Sequence, residues 1–197
     1  MSGPDSSFFG LQVVLPQYDQ LPLWRRLHDL IAKSSDQVSV PEKLAFWKRF
    51  TAVLTEGMPV FEYGYWDYIP KPEKAAAEFE SWTTQIEGNL ATEAEELGEA
   101  ADEVNRLTSA PTYLCASLFF LVVRGSNSDR TLAERCAIPE AEWWTRQTFG
   151  HHLSTIPLLN FGTVQADAVY LVPGNDQDGL SSDDLYGGGF KYLKPLL

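Results

Sequence analysis

Residues Tyr113 to Val123 read Tyr-Leu-Cys-Ala-Ser-Leu-Phe-Phe-Leu-Val-Val, apolar at both alternate sets of positions but for Ser117. A strand with water on one face alternates apolar and polar side chains, so this pattern demands cover on both faces. Eleven residues are too few to cross a bilayer as a helix, and the β-branched and aromatic content with Gly125 just beyond favours a strand. The chain is therefore expected to bury a sheet under helices, with Tyr113–Val123 at its centre.

The flanking periodicities supply the cover. Residues 1–7 are small and polar and are expected to be disordered, with the folded domain beginning after residue 9, and Phe8 to Leu15 reads as a first strand stopped by Pro16, an edge or a neighbour of the central one. Trp24, Leu27, Leu30 and Ile31 fall at helical spacing, and Ser39-Val40-Pro41-Glu42 has the spacing of a capping box opening a second helix over roughly 40–56. A long apolar stripe, Phe79, Trp82, Ile86, Leu90, Leu97, Ala101, Val104 and Leu107, predicts a third helical stretch that Gly88-Asn89 could divide. After the central strand come a short capped helix through Cys136, a helix restarted at Ile138-Pro139-Glu140, and a strand over Val164–Val172. A short turn or helix follows near Leu185, then an apolar tail from Phe190 that packs back on the core. The expected fold is one α+β domain over residues 10–197, with about three strands against several helices. Its last β-α-β unit is expected to be a right-handed parallel crossover.

With 27 acidic and 15 basic side chains the net charge is −12, a poor match for a nucleic-acid backbone or an anionic lipid surface. A protein partner with a basic patch, or a cation, suits it better. Between Glu73 and Glu103 ten acidic residues stand against one lysine, Lys74, which reads first as a solvated helix face. No run approaches a membrane span and no secretory leader pattern stands at the N-terminus, giving an expectation of a soluble, cytoplasmic chain. Cys115 and Cys136 have no CxxC spacing and read as free thiols in a reducing compartment.

Several short signatures come in a familiar order. Ser34-Ser35-Asp36, Pro41-Glu42-Lys43-Leu44, an aromatic loop, an acidic helical stretch, a hydrophobic strand, and Val172-Pro173 followed by Asp178-Gly179-Leu180-Ser181-Ser182-Asp183-Asp184-Leu185 resemble the family known as domain of unknown function 1517. The likeness covers roughly residues 10–197 and implies an α+β fold of cyanobacterial or plastid origin. Members often carry a membrane segment, which this chain lacks, and their activity is unassigned. The family's Glu and Trp-Thr-Pro at the last strand are replaced by Ala168 and Leu171-Val172-Pro173, and no catalytic residue carries over.

No constellation in the chain states a reaction. His151 and His152 are the best metal candidates, but adjacent helical positions point about 100 degrees apart and cannot easily share one ion. His28 has no sequence-local partner. Placing Gly179 at the glycine of a calcium loop puts Gly174 and Leu185 where carboxylates are required, so that reading fails. The triple glycine 187–189 lacks the lysine of a phosphate cradle, and Cys115 inside a strand would be a poor nucleophile. No metal and no cofactor is expected.

The remaining feature is Phe61 to Tyr68, five aromatics in eight residues around Gly64, read as an irregular loop or short strand. Its rings are either core or a partly exposed platform, with Tyr63, Tyr65, Trp66 and Tyr68 as the binding candidates and at least two of them exposed. Two functions remain. A non-enzymatic interaction or regulatory domain is favoured; the alternative is a hydrolase or metal-dependent enzyme with a site near His151 and His152.

Overall fold

The computed structural model describes residues 5–17, 21–34, 39–98, 112–174, 179–186, 190 and 192–197. Strands β1 (Ser6–Pro16), β2 (Tyr63–Ile69), β3 (Tyr113–Val123), β4 (Val164–Val172) and β5 (Lys194–Pro195) form one sheet in the order β4-β3-β1-β2-β5. Helices α1 (Leu21–Ala32), α2 (Val40–Glu56), α3 (Pro72–Gly98), α4 (Asn127–Cys136) and α5 (Arg146–Thr155) cover it. The class is α+β, as expected, but the sheet has five strands rather than about three: the aromatic segment and the C-terminal tail both add to it.

β3 lies between β1 and β4, and eight of its residues, Tyr113 to Phe120, are buried in succession. The cause is cover on both faces. Leu114, Ala116, Leu118, Phe120 and Val122 face a core built from α1, α2, α4 and α5, whereas Tyr113, Cys115 and Phe119 face α3 with Phe8, Trp82 and Ile86. β1 is buried in the same two-sided way and is the middle strand, so it is a neighbour of β3 and not an edge. Its N-terminus corrects the expectation of a disordered start and a domain beginning after residue 9: the strand begins at Ser6, and Phe8 and Phe9 are fully buried, so residues 6–9 are sheet, while residues 1–4 lie outside the described residues. Where the α3 face meets the sheet's centre, Gln12 Nε2 donates to Ser117 Oγ at 3.1 Å, satisfying both polar groups out of water.

Every strand pair is antiparallel, which overturns the parallel β-α-β crossover. Ile138-Pro139 divides the β3–β4 connection into two short helices, and Val164 of β4 pairs with Val122 at the end where β3 finished. A helix out and a helix back return the chain to the end it left, so β4 must run against β3.

The local signals explain the helices. Ser39 Oγ accepts from the Glu42 N–H at 3.4 Å, and the Glu42 carboxylate accepts from the Ser39 N–H at 3.0 Å, so the capping box opens α2 as its spacing requires. Ser126 caps α4 and Thr145 caps α5. α3 runs through Gly88 unbroken over 27 residues. Leu97 lies on its last turn; the stripe positions Ala101, Val104 and Leu107 lie outside the described residues, as do 175–178 and the triple glycine 187–189. Phe190 and Leu196 of the tail are buried, as expected, whereas Tyr192 and Leu197 are exposed.

Candidate functional site

The aromatic segment is a strand. Gly64, which suggested an irregular loop, has a packing reason: a Cβ there would lie 2.5 Å from Phe149 Cε1, so only glycine lets β2 pass beneath α5. The pleat then sends Trp66 and Tyr68 to the four-helix face and Tyr63, Tyr65 and Ile69 to the α3 face.

None of the four candidate rings is exposed, which corrects the expectation of at least two open to solvent. Trp66 is buried; its Nε1 donates to the Trp143 carbonyl at 3.0 Å and its ring lies 4.5 Å from that of His152. Tyr68 is half-buried and donates its hydroxyl to Asp129 Oδ1 at 2.6 Å, while Asp129 Oδ2 accepts from the Gly125 N–H at 2.7 Å. Burial and this acceptor push the Tyr68 hydroxyl up. Burial also works against the Asp129 charge, but the Tyr68 and Gly125 hydrogen bonds outweigh it and hold the carboxyl below its ordinary range. Tyr63 packs edge-on to Tyr113 at 6.0 Å. Tyr65 stacks on Trp144 at 5.7 Å and 16° and touches Tyr192 at 5.5 Å; burial, then the Asp67 charge, raises its hydroxyl to about 12.

These rings are the floor and end of a groove. β5 pairs with β2 only at Tyr63 and Gly64. Upstream of Lys194 the chain turns, Leu193 N–H donating to the Phe190 carbonyl at 3.0 Å, and Leu193 packs on the α3 side. Among the described residues, no strand therefore lies against the outer edge of β2 from Tyr65 to Ile69. A cavity of about 340 Å³ runs along that edge, floored by Tyr65–Tyr68 and walled by Ala133 and Cys136 of α4 and by Trp143 and Trp144. Asp67 is half-buried here, and its carboxyl is raised by burial and by nearby Glu78, against the opposing pull of the Tyr68 backbone N–H. None of the ion pairs among the described residues involves Asp67 or Glu78.

The two histidines separate. His152 is 1% exposed, packed between Phe9 and Trp66, and its Nε2 has no hydrogen-bond partner among the described residues. Burial, then the neighbouring His151, lowers it to about 3. His151 is half-buried, its Nε2 3.3 Å from Arg135 Nη1. Among the described residues no three His, Cys, Asp or Glu side chains gather where they could hold a metal. Cys115 and Cys136 are free, and burial pushes both thiols up to about 12, far from a reactive thiolate.

Asp67, Ala133, Cys136, Trp143 and Trp144 are groove residues that the sequence did not mark as binding candidates. The Trp-Trp doublet was the available signal, since two adjacent indoles outside a regular helix cannot both share one buried stripe.

No protein-family model, curated protein or solved structure matches the chain. No helix among the described residues is long and apolar enough to cross a membrane.

Proposed function

We propose that this chain is a non-enzymatic protein-interaction domain that takes an extended segment of a protein partner along the free edge of β2. The carrying observation is a sheet edge with no paired strand among the described residues, at the floor of a groove walled by Trp143 and Trp144. An open edge offers alternate backbone N–H and C=O groups to an incoming strand, which supplies affinity, and pockets for every second side chain supply selectivity. Tyr65, Trp66 and Tyr68 belong to this site as floor and not as a projecting platform; Tyr63 lies beside β5. The enzyme reading near His151 and His152 is not carried forward, because His152 reaches no substrate without opening the core. Kinship with the domain of unknown function 1517 family is likewise proposed only, resting on motif order: Pro41-Glu42 opens α2, and Val172-Pro173 ends β4.

A partner captured from extracts of the source cell with the parent chain should be lost when Ala133→Trp, a change at an exposed α4 position, fills the groove. The same partner should slow amide hydrogen exchange at Trp66–Ile69. Capture that survives Ala133→Trp, with exchange at those amides unchanged, would place the interaction surface elsewhere.

A further inference from the structure

The groove along β2 combines three properties that together select its occupant. Its floor is backbone that lacks a neighbouring strand among the described residues, so the ligand must be extended over about four residues to match Trp66–Ile69. Its Tyr65 end is aromatic: Trp144 at 5.7 Å, Trp82 at 5.5 Å and Tyr192 at 5.5 Å close around the Tyr65 ring and make an apolar end wall beside the strand. Its charge is negative, because Asp67 sits half-buried on the floor near Glu78, whose Oε2 is committed to Trp82 Nε1 at 3.1 Å. The ion pairs among the described residues leave both carboxylates without a cation.

From this geometry we infer that the β2 groove binds an extended peptide segment carrying a Lys or Arg side chain, placed against Asp67 beside the Tyr65–Trp144 wall. The inference rests on the strand-addition reading above and names the chemistry of its partner. A partly desolvated carboxylate beside another carboxylate gains more from an incoming cation than a fully solvated one does, because the surroundings screen it less. The aromatic end wall gives the aliphatic stem of a Lys or Arg an apolar surface to lie along while its charged head reaches Asp67. An acidic segment at the same edge would meet like charge at close range, so the groove discriminates by repulsion as well as attraction. The chain's net charge of −12 favours the encounter with a basic segment over a wider range.

The probe is a display library of random ten-residue peptides, selected on the full-length chain and, in parallel, on Asp67→Lys, Glu78→Lys and Ala133→Trp. Thermal melts first confirm that each variant keeps a cooperative fold; Glu78→Lys, on the outer helix, stands in if Asp67→Lys does not. The parent should enrich β-forming peptides with a central Lys or Arg. Binding of those peptides should fall at least tenfold on Asp67→Lys or Glu78→Lys, and acidic peptides should replace them in selection on the lysine variants. Enriched peptides that Ala133→Trp abolishes but that show no cationic preference would overturn the charge inference and leave strand addition standing. Enriched peptides that bind Ala133→Trp as well as the parent, or no enrichment at all, would overturn strand addition itself.

Discussion

The two edges of the sheet are built from similar strands and treated in opposite ways. β4, at one edge, spends its outward chemistry on its own molecule: Asp167 accepts from Lys43 Nζ and, at 3.0 Å, from Trp47 Nε1; Tyr170 donates to Glu87 at 2.7 Å; Gln165 bonds Ser6. β2, towards the other edge, has a half-buried carboxylate at Asp67 with no ion pair among the described residues and a second carboxylate nearby. A charged residue on an edge blunts strand addition when it is held by the protein's own cation. The same residue left uncompensated costs stability and selects a ligand that compensates it. The contrast teaches that an edge should be read by what its charges already touch, and not by its length, since β4 is the longer of the two.

The comparison breaks outright if the strands between the edges give way, and that is the largest expected effect. Leu118 is fully buried on β3, opposite Leu11 of β1 and Val169 of β4. Leu118→Asp places an unpaired charge in the four-helix core and should cost more than about 4 kcal/mol, leaving no soluble folded protein. A variant that melts within a few degrees of the parent would show that β3 does not hold the two edges together.

Acid should loosen the β2 side first. His152 lies under Trp66, and its folded pKa of about 3 is below the ordinary 6.5. The unfolded chain therefore binds the proton more readily between those values. The stability tied to neutral His152 is present above pH 6.5 and is lost as pH falls toward 3, by up to about 1.4 kcal/mol per pH unit. Chemical denaturation from pH 7 to 4 should show this slope, and His152→Phe, which keeps a ring beside Phe9 and Trp66, should flatten it. An unchanged slope in the variant would assign the acid sensitivity to other groups.

What the sequence disclosed follows from how local each signal is. The extent of β4, the capping box of α2 and the buried run of β3 were readable because each depends on residues within a turn or on a period of two. Sheet order was not, because nothing in Phe8–Leu15 records that β2 pairs on one side of it and β3 on the other. The parallel crossover fails on parity: one helix or two between β3 and β4 decides direction, and the break at Ile138-Pro139 makes it two. The groove was half legible. Aromatic density marked β2, but rings flanking a strand alternate between two faces, so density cannot say which are covered. Trp143 and Trp144, distant in sequence, do the covering.

The sharpest form of the comparison removes the carboxylate at each edge and asks for opposite outcomes. Trp47 is fully buried, so Asp167→Ala leaves its Nε1 without an acceptor and Lys43 without its partner; a loss of about 1–3 kcal/mol is expected. Asp67→Asn removes a charge that burial and Glu78 already disfavour, so stability near neutral pH should hold or rise, by less than about 1 kcal/mol. The pH dependence carries the sign. Because the folded Asp67 carboxyl titrates above the unfolded one, its contribution is present in acid and lost as pH rises through its folded pKa. The advantage of Asp67→Asn over the parent should therefore grow from acid toward neutral pH, while the deficit of Asp167→Ala at neutral pH has no such gain. Urea titrations of both variants at pH 4 and pH 7 measure the two differences. Equal losses at the two sites would mean that Asp67 is compensated within the chain as Asp167 is, and that the edges do not differ in kind.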